Sequence, residues 1–150
     1  PQEVAAIPVD ALAGDVGQVQ LVQANVRNRA SITRALEHAE AVINLVGVLY
    51  ERGAQTFQGA QALGAENIAT LAREAGIKKA VYVSAIGASC NSHSVYARTK
   101  AVAEAATLEA IPTASILRPS IMFGSEDGFF TRFARLARMS PVMPVPRVLP

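Results

Sequence analysis

The sequence predicts an α/β fold, a doubly wound parallel sheet, on three observations. Four short Val- and Ile-rich runs are nearly continuous in apolar character: "VQLVQA" (19–24), "AVINLVG" (41–47), "KAVYVSA" (79–85) and "ASILRP" (114–119). Strands covered on both faces read this way. Helical stretches separate the runs, and strand–helix alternation with right-handed crossovers builds a parallel sheet. Finally, 150 residues, 51% hydrophobic and only 5% aromatic, suffice for one core of closely packed helices on a sheet.

Each element has its own local signal. After the first run, residues 29–38 form a helix with Ser31 as the expected N-cap. The second run follows. Across 55–75, Phe57, Ala60, Gly64, Ile68, Leu71 and Ala75 recur at steps of three or four, an apolar helical stripe. Gly76 supplies its stop. The third run precedes a helix over 94–110, closed by Pro112 beyond it. Beyond Pro119 the pattern changes. A Gly-rich turn opens "MFGSEDGFFTRFARLARM", an amphipathic helix spans about 128–139, and "SPVMPVPRVLP" holds four of the eight prolines as an irregular tail. The expected division is a sheet domain over 1–120 and the start of a second, C-terminal region over 121–150.

Composition narrows the functions. A net charge of +2 is too small to argue for nucleic acid. A single cysteine, Cys90, allows no internal disulfide, so a reducing compartment is expected and Cys90 reads as an ordinary loop residue. No apolar run approaches the ~20 residues needed to cross a bilayer, and no basic start with a long apolar segment marks a secretory signal. Pro1 in place of Met points to a chain that begins inside a longer gene product. His38 and His93 lie far apart with no cysteine or acid at metal-ligand spacing, so both read as surface residues and no metal site is expected.

In open parallel sheets, ligands bind at the carboxyl ends of the strands. Here those ends carry Asn25, Asn44 and Gly47, Ser84 and Ala85, then Arg118 to Ser120, small or polar residues that let a ligand approach the backbone. Just past the third run, Tyr96 and Lys100 stand four apart on a helix and therefore share one face. A phenol, with an ordinary pKa near ~10, is a poor base at neutral pH. An ammonium within ~4–6 Å lowers that value, and a serine hydroxyl nearby can hold a carbonyl while the tyrosine exchanges its proton. Ser84 is the best candidate for that serine; Ser89, Ser92 and Ser94 remain open. Three tyrosines and three lysines in 150 residues make the spacing weak by itself. The preceding strand and loop are what give it meaning.

"VINLVGV", "YVSAIGA", "YARTKAVAE" and "ILRPSIMFG" follow one another in the order and spacing of extended and atypical short-chain dehydrogenase/reductases, the NAD-dependent epimerase/dehydratase-like proteins. "VQANVRNRASI", "NLVGVLYERGAQTFQGAQALGAENIA" and "FGSEDGFFTRFARLARMSPVMP" resemble in particular the branch containing the NAD(P)-binding accessory subunit of respiratory complex I (the NADH:ubiquinone oxidoreductase alpha-subcomplex subunit 9-like group) and its bacterial homologues. The resemblance covers roughly residues 14–145. It implies a Rossmann-like fold and NAD or NADP as cofactor. It also implies that Asn25 and Val26 border the adenine and that Leu45, Val46 and Gly47 lie along the cofactor. Ser84, Tyr96 and Lys100 match the reductase triad, Lys100 reaching the nicotinamide ribose, and Pro119 and Ser120 match the loop beside the nicotinamide.

The chain departs from that pattern at its start. The family opens with a strand, a glycine-rich turn and a helix, whose backbone N–H groups hold the pyrophosphate. "GDVGQVQ" (14–20) precedes a strand and opens no helix, so it fails that context. The N-terminal glycine-rich β-α-β unit and the strand that chooses NAD or NADP are lacking, and weak cofactor affinity is expected. Two functions stand side by side. One is a nucleotide-binding structural or assembly subunit associated with complex I. The other is an active NAD(P)-dependent reductase or epimerase using the triad. Under the resemblance the location is the bacterial cytoplasm or inner-membrane surface, or the mitochondrial matrix in a eukaryote. Arg132, Arg135 and Arg138 on the last helix are the expected contacts to complex I subunits or the membrane surface, against the plainer reading of solvated arginines over an apolar packing face.

Overall fold

A computed structural model of the protein describes residues 21–122, 124 and 130–139. In chain order these form α1 (Arg29–Ala35), β1 (Ala41–Asn44), a π-helical turn (Phe57–Ala62) running into α2 (Leu63–Glu74), β2 (Lys79–Val83), α3 (Val95–Ala110), β3 (Ser115–Leu117) and α4 (Phe130–Met139). The three strands form one parallel sheet in the order β1-β2-β3, with Val42 opposite Ala80 and Tyr82 opposite Ile116. Each parallel step needs a crossover. The first is made by the π turn with α2, the second by α3.

Side-chain alternation decides which face is buried. Val42, Ala80, Tyr82 and Ile116 turn toward the helices. Ile32 and Leu36 at α1, Leu71 and Ala72 of α2, Ile77 and Ala80 at β2, and Ala110 and Ile111 at the end of α3 make the main core. Ala65, Tyr82 and Ala103 make a smaller one nearer the carboxyl ends of the strands. Alanine at 65, 69, 72, 101 and 103 lets α2 and α3 approach each other closely, and these positions are buried. Ile43 and Leu117 turn to the other face, where both stand more than half exposed.

The helix ends show why the boundaries fall where they do. Asn28, not Ser31, caps α1: its side chain accepts from the Ser31 N–H. The Ser31 hydroxyl instead donates to the Asn25 and Asn28 carbonyls and accepts from the Asn25 N–H, buried beneath the turn it ties together. At the end of α2, Gly76 adopts φ 80°, its N–H donates to the Arg73 carbonyl, and the Ile77 N–H donates to that of Ala72. That pair of bonds is the Schellman stop that glycine permits.

The strand expected over 19–24 is not formed at its described residues, 21–24. Among the described residues no neighbouring strand pairs with it, and Leu21 and Val22 are exposed. Without ladder partners an apolar run gains nothing from the extended pleat. Residues 19 and 20, the "GDVGQVQ" segment and the proline-rich tail lie outside the described residues. The helix expected over 55–75 is present over 57–74, but Phe57–Ala62 widen into a π turn, a form that occurs mostly as single turns within α-helices and is frequent at functional sites.

Candidate functional site

The site is assembled where β1 ends. Asn44 is buried, and its Oδ1 accepts from the Val46 N–H at 2.9 Å, closing a turn that stops the strand and sends Leu45–Val48 across the top of the sheet. Facing it is the segment before α1. The Arg27 N–H donates to Asn25 Oδ1, and the Val26 carbonyl accepts from Asn67 Nδ2 at 3.1 Å. Arg27 Nη1 donates to the Ala54 carbonyl at 2.6 Å. Between these two walls lies an open groove of about 820 Å³, lined among others by Asn25, Val26, Arg34, Leu45, Val46 and Gly47. Pockets that hold cofactors fall in the range of roughly 300–1,000 Å³.

Five of the residues matched to a cofactor thus line one groove. Lys100 reaches the same place from α3. Its Nζ lies 3.3 Å from where a Cβ on Gly47 would sit, with Gln61 Oε1 at 3.6 Å from that point. A glycine there leaves the backbone open to a close-lying partner. Lys100 is only 3% exposed, and Nζ donates to the Val83 carbonyl at 3.0 Å. It also sits 5.1 Å from the Tyr82 ring centroid and 6.0 Å from that of Tyr96, within the range of a cation–π contact. Burial lowers its pKa from the ordinary lysine value, opposed by the Glu104 charge.

Tyr96 is half-buried on the same face of α3, with the Phe57 ring edge-on at 5.9 Å between centroids. Burial pushes its phenol above the ordinary value. The expected lowering by a neighbouring ammonium is therefore not what the structure shows: loss of solvent around the phenolate sets the direction. Ser84 follows β2, and its N–H donates to the Leu117 carbonyl at 2.7 Å. Its Oγ is enclosed and makes no hydrogen bond among the described residues. Pro119 and Ser120 lie off the groove, beyond β3, where the Pro119 carbonyl accepts from the Ile86 N–H at 2.9 Å.

Three contributors are absent from the sequence-based reading. Gln61, fully buried in the π turn, accepts from the Val48 N–H at 3.4 Å and donates to Thr99 Oγ1 at 3.1 Å, tying the β1 loop to α3. A glutamine inside an otherwise apolar stripe was its only signal. Glu104 continues the Tyr96–Lys100 face one turn further and receives two hydrogen bonds from Arg118, at 2.9 and 2.5 Å. The four-residue step from Lys100 could have revealed it. Arg34 lines the groove beside Arg27, both cations available to a negatively charged ligand.

A parallel sheet with its crossover helices, and a groove at the carboxyl ends of its strands, define a Rossmann-type α/β nucleotide-binding domain. The chain belongs to the NAD(P)H-binding family, whose profile matches residues 8–121. That membership makes NAD or NADP the cofactor class of the fold. The chain is 35% identical over 131 residues to the mitochondrial NADH dehydrogenase [ubiquinone] 1 alpha subcomplex subunit 9 of Dictyostelium discoideum, covering 87% of this chain and 36% of that one. It is 38% identical over 135 residues to the subunit of the same name from Arabidopsis thaliana, covering 89% and 34%. The chain thus spans about a third of the length of these relatives. Among solved structures, dTDP-4-dehydrorhamnose reductase from Bacillus anthracis in complex with NADP superimposes with a TM-score of 0.64 at 17% identity, over 78% of this chain and 48% of that one. At that identity the likeness is one of fold.

Proposed function

We propose that this chain supplies part of the NAD(P) site of a structural or assembly-type subunit associated with complex I. The observation that carries the reading is the convergence of Gly47 and Lys100 on one groove wall. In this assignment the adenosine end lies between Asn25–Val26 and Leu45–Gly47. Lys100 and Tyr96 donate to a ribose, and Pro119 and Ser120 stand toward the nicotinamide end. A binding role is favoured over turnover because the Ser84 hydroxyl is enclosed. Residues 121–150 then begin a region for partner contact. Within it α4 presents exposed Arg135 and Arg138 to acidic subunit surfaces or anionic lipid, and the sequence adds Arg132 to the same series. No helix among the described residues is long and apolar enough to cross a membrane, so the membrane surface is the contact proposed. That surface is the bacterial inner membrane, or the matrix side of the mitochondrial one in a eukaryote.

The second reading, a reductase or epimerase using Ser84, Tyr96 and Lys100, draws support from the shared face of Tyr96 and Lys100 beside the groove. Calorimetric titration with NAD, NADH and NADPH, paired with Tyr96→Phe, separates the two. A binding subunit keeps ligand affinity within a few-fold in the variant and shows no turnover to lose. Loss of a measurable hydride transfer on Tyr96→Phe overturns the structural reading, and absence of any nucleotide binding in the unaltered chain overturns both.

A further inference from the structure

Glu104 is a buried carboxylate, 6% exposed, on the helix face that carries Lys100 one turn before it. A buried carboxylate is costly unless paired and hydrogen-bonded. Here Arg118 forks onto it from just beyond β3, with Nε at 2.9 Å from Oε1 and Nη2 at 2.5 Å from Oε2. Such a two-bond contact fixes orientation as well as charge. Arg118 is itself half in solvent, whereas Lys100 is not. The ammonium therefore has little water to stabilise it. Its immediate surroundings are the Val83 carbonyl and the Tyr82 and Tyr96 rings, with the Glu104 carboxylate one helical turn on, beyond the ~4 Å of a direct ion pair.

We propose that Glu104, one helical turn beyond Lys100 and clamped by Arg118, is the positioning residue for Lys100: its counter-charge keeps the buried amine charged where Nζ, donating to the Val83 carbonyl, stands beside Gly47. This rests on the reading of Lys100 as a nucleotide contact only for its consequence on binding. The electrostatic relationship stands apart from it. The groups facing Lys100 are Glu104 and Tyr96 from α3, Tyr82 from β2, and, through Glu104, Arg118 from the end of β3. Removing the negative charge leaves a buried cation with a second cation nearby. Removing the arginine leaves the carboxylate facing Lys100 alone. The two changes thus act in opposite directions on one amine, which a loss of packing cannot imitate.

The test is the titration of the Lys100 Nζ resonance in the 150-residue chain, labelled with 15N-lysine. The sequence has only two other lysines, Lys78 and Lys79, so assignment is direct. Glu104→Gln is expected to weaken proton binding at Lys100 about tenfold, and Arg118→Met to strengthen it. Glu104→Asp is expected to restore part of the effect. An unchanged Lys100 midpoint in folded Glu104→Gln overturns the proposal. If Glu104→Gln does not fold, Arg118→Met decides: an upward shift supports it, and no shift or a downward one overturns it. NAD and NADPH titrations run in parallel. Failure of the unaltered chain to bind either nucleotide removes the functional reading but leaves the Lys100 midpoints to decide the inference.

Discussion

The Lys100 ammonium lies 3.3 Å from the position a Cβ on Gly47 would take. This close approach joins the loop after β1 to α3 and makes residue 47 a gauge of the site. Gly47→Val crowds the end of a flexible side chain, so the lysine moves and the fold stays. The expected result is at least a tenfold loss of NAD(P) affinity by calorimetry, about 1.4 kcal/mol. Thermal stability should change little. A variant that binds as well as the unaltered chain would show that the ligand does not use this wall.

Gly64 faces the opposite wall. A Cβ there would fall 2.8 Å from Val26 Cγ2 and 3.1 Å from Val26 Cβ. Gly64→Ala adds helix propensity of about 1 kcal/mol, but overpacking against a stiff β-branched neighbour costs about 1–3 kcal/mol. The clash should win or break even. Urea unfolding is expected to show the variant less stable by up to about 2 kcal/mol. Displacing Val26 should also weaken nucleotide binding.

Much of this arrangement could be read from the chain, because it rests on local periodicity. The runs at 41–47, 79–85 and 114–119 are strands, if shorter than expected, and Gly76 ends its helix. What escaped depends on neighbours distant in sequence. The run at 19–24 has full strand character but no partner among the described residues. Ser31 lost the cap to Asn28 because its hydroxyl is committed to the Asn25 turn. At the site, Tyr96 and Lys100 could be placed on one face from spacing alone. Spacing could not tell whether burial or the nearby cation governs the phenol. Nor could it show Arg118 arriving from the third strand to meet Glu104.

Tyr82 is completely buried, and its hydroxyl has no hydrogen-bond partner among the described residues. Burial, aided by the Glu104 and Tyr96 charges, drives its pKa well above the ordinary value. A buried polar atom left unsatisfied costs about 1–3 kcal/mol. Tyr82→Phe keeps the ring under Lys100 and removes only that atom. It is expected to leave stability unchanged or raise it by about 1 kcal/mol, measured as a higher urea midpoint at constant slope. A clear loss of stability would mean that the hydroxyl has a partner.

Acid should expose the worth of the Glu104 contact. Burial pushes this carboxyl up, but the Arg118 hydrogen bonds and the Arg118 and Lys100 charges outweigh it, leaving the pKa below the ordinary glutamate value. The folded chain thus holds this proton less tightly than the unfolded one. Its contribution to stability is present above the unfolded pKa near 4.5 and is lost as pH falls through the lower folded value. Lys100 works on the alkaline side with its own sign. Its folded pKa lies below the ordinary value of 10.5, so stability from this group rises with pH between the two. Urea unfolding from about pH 6 down to about pH 3 should therefore show a decline that Glu104→Gln flattens. Because the variant has no carboxyl to protonate, it should start less stable at neutral pH and converge with the unaltered chain in acid. Parallel curves across that range would place the acid sensitivity in other carboxylates.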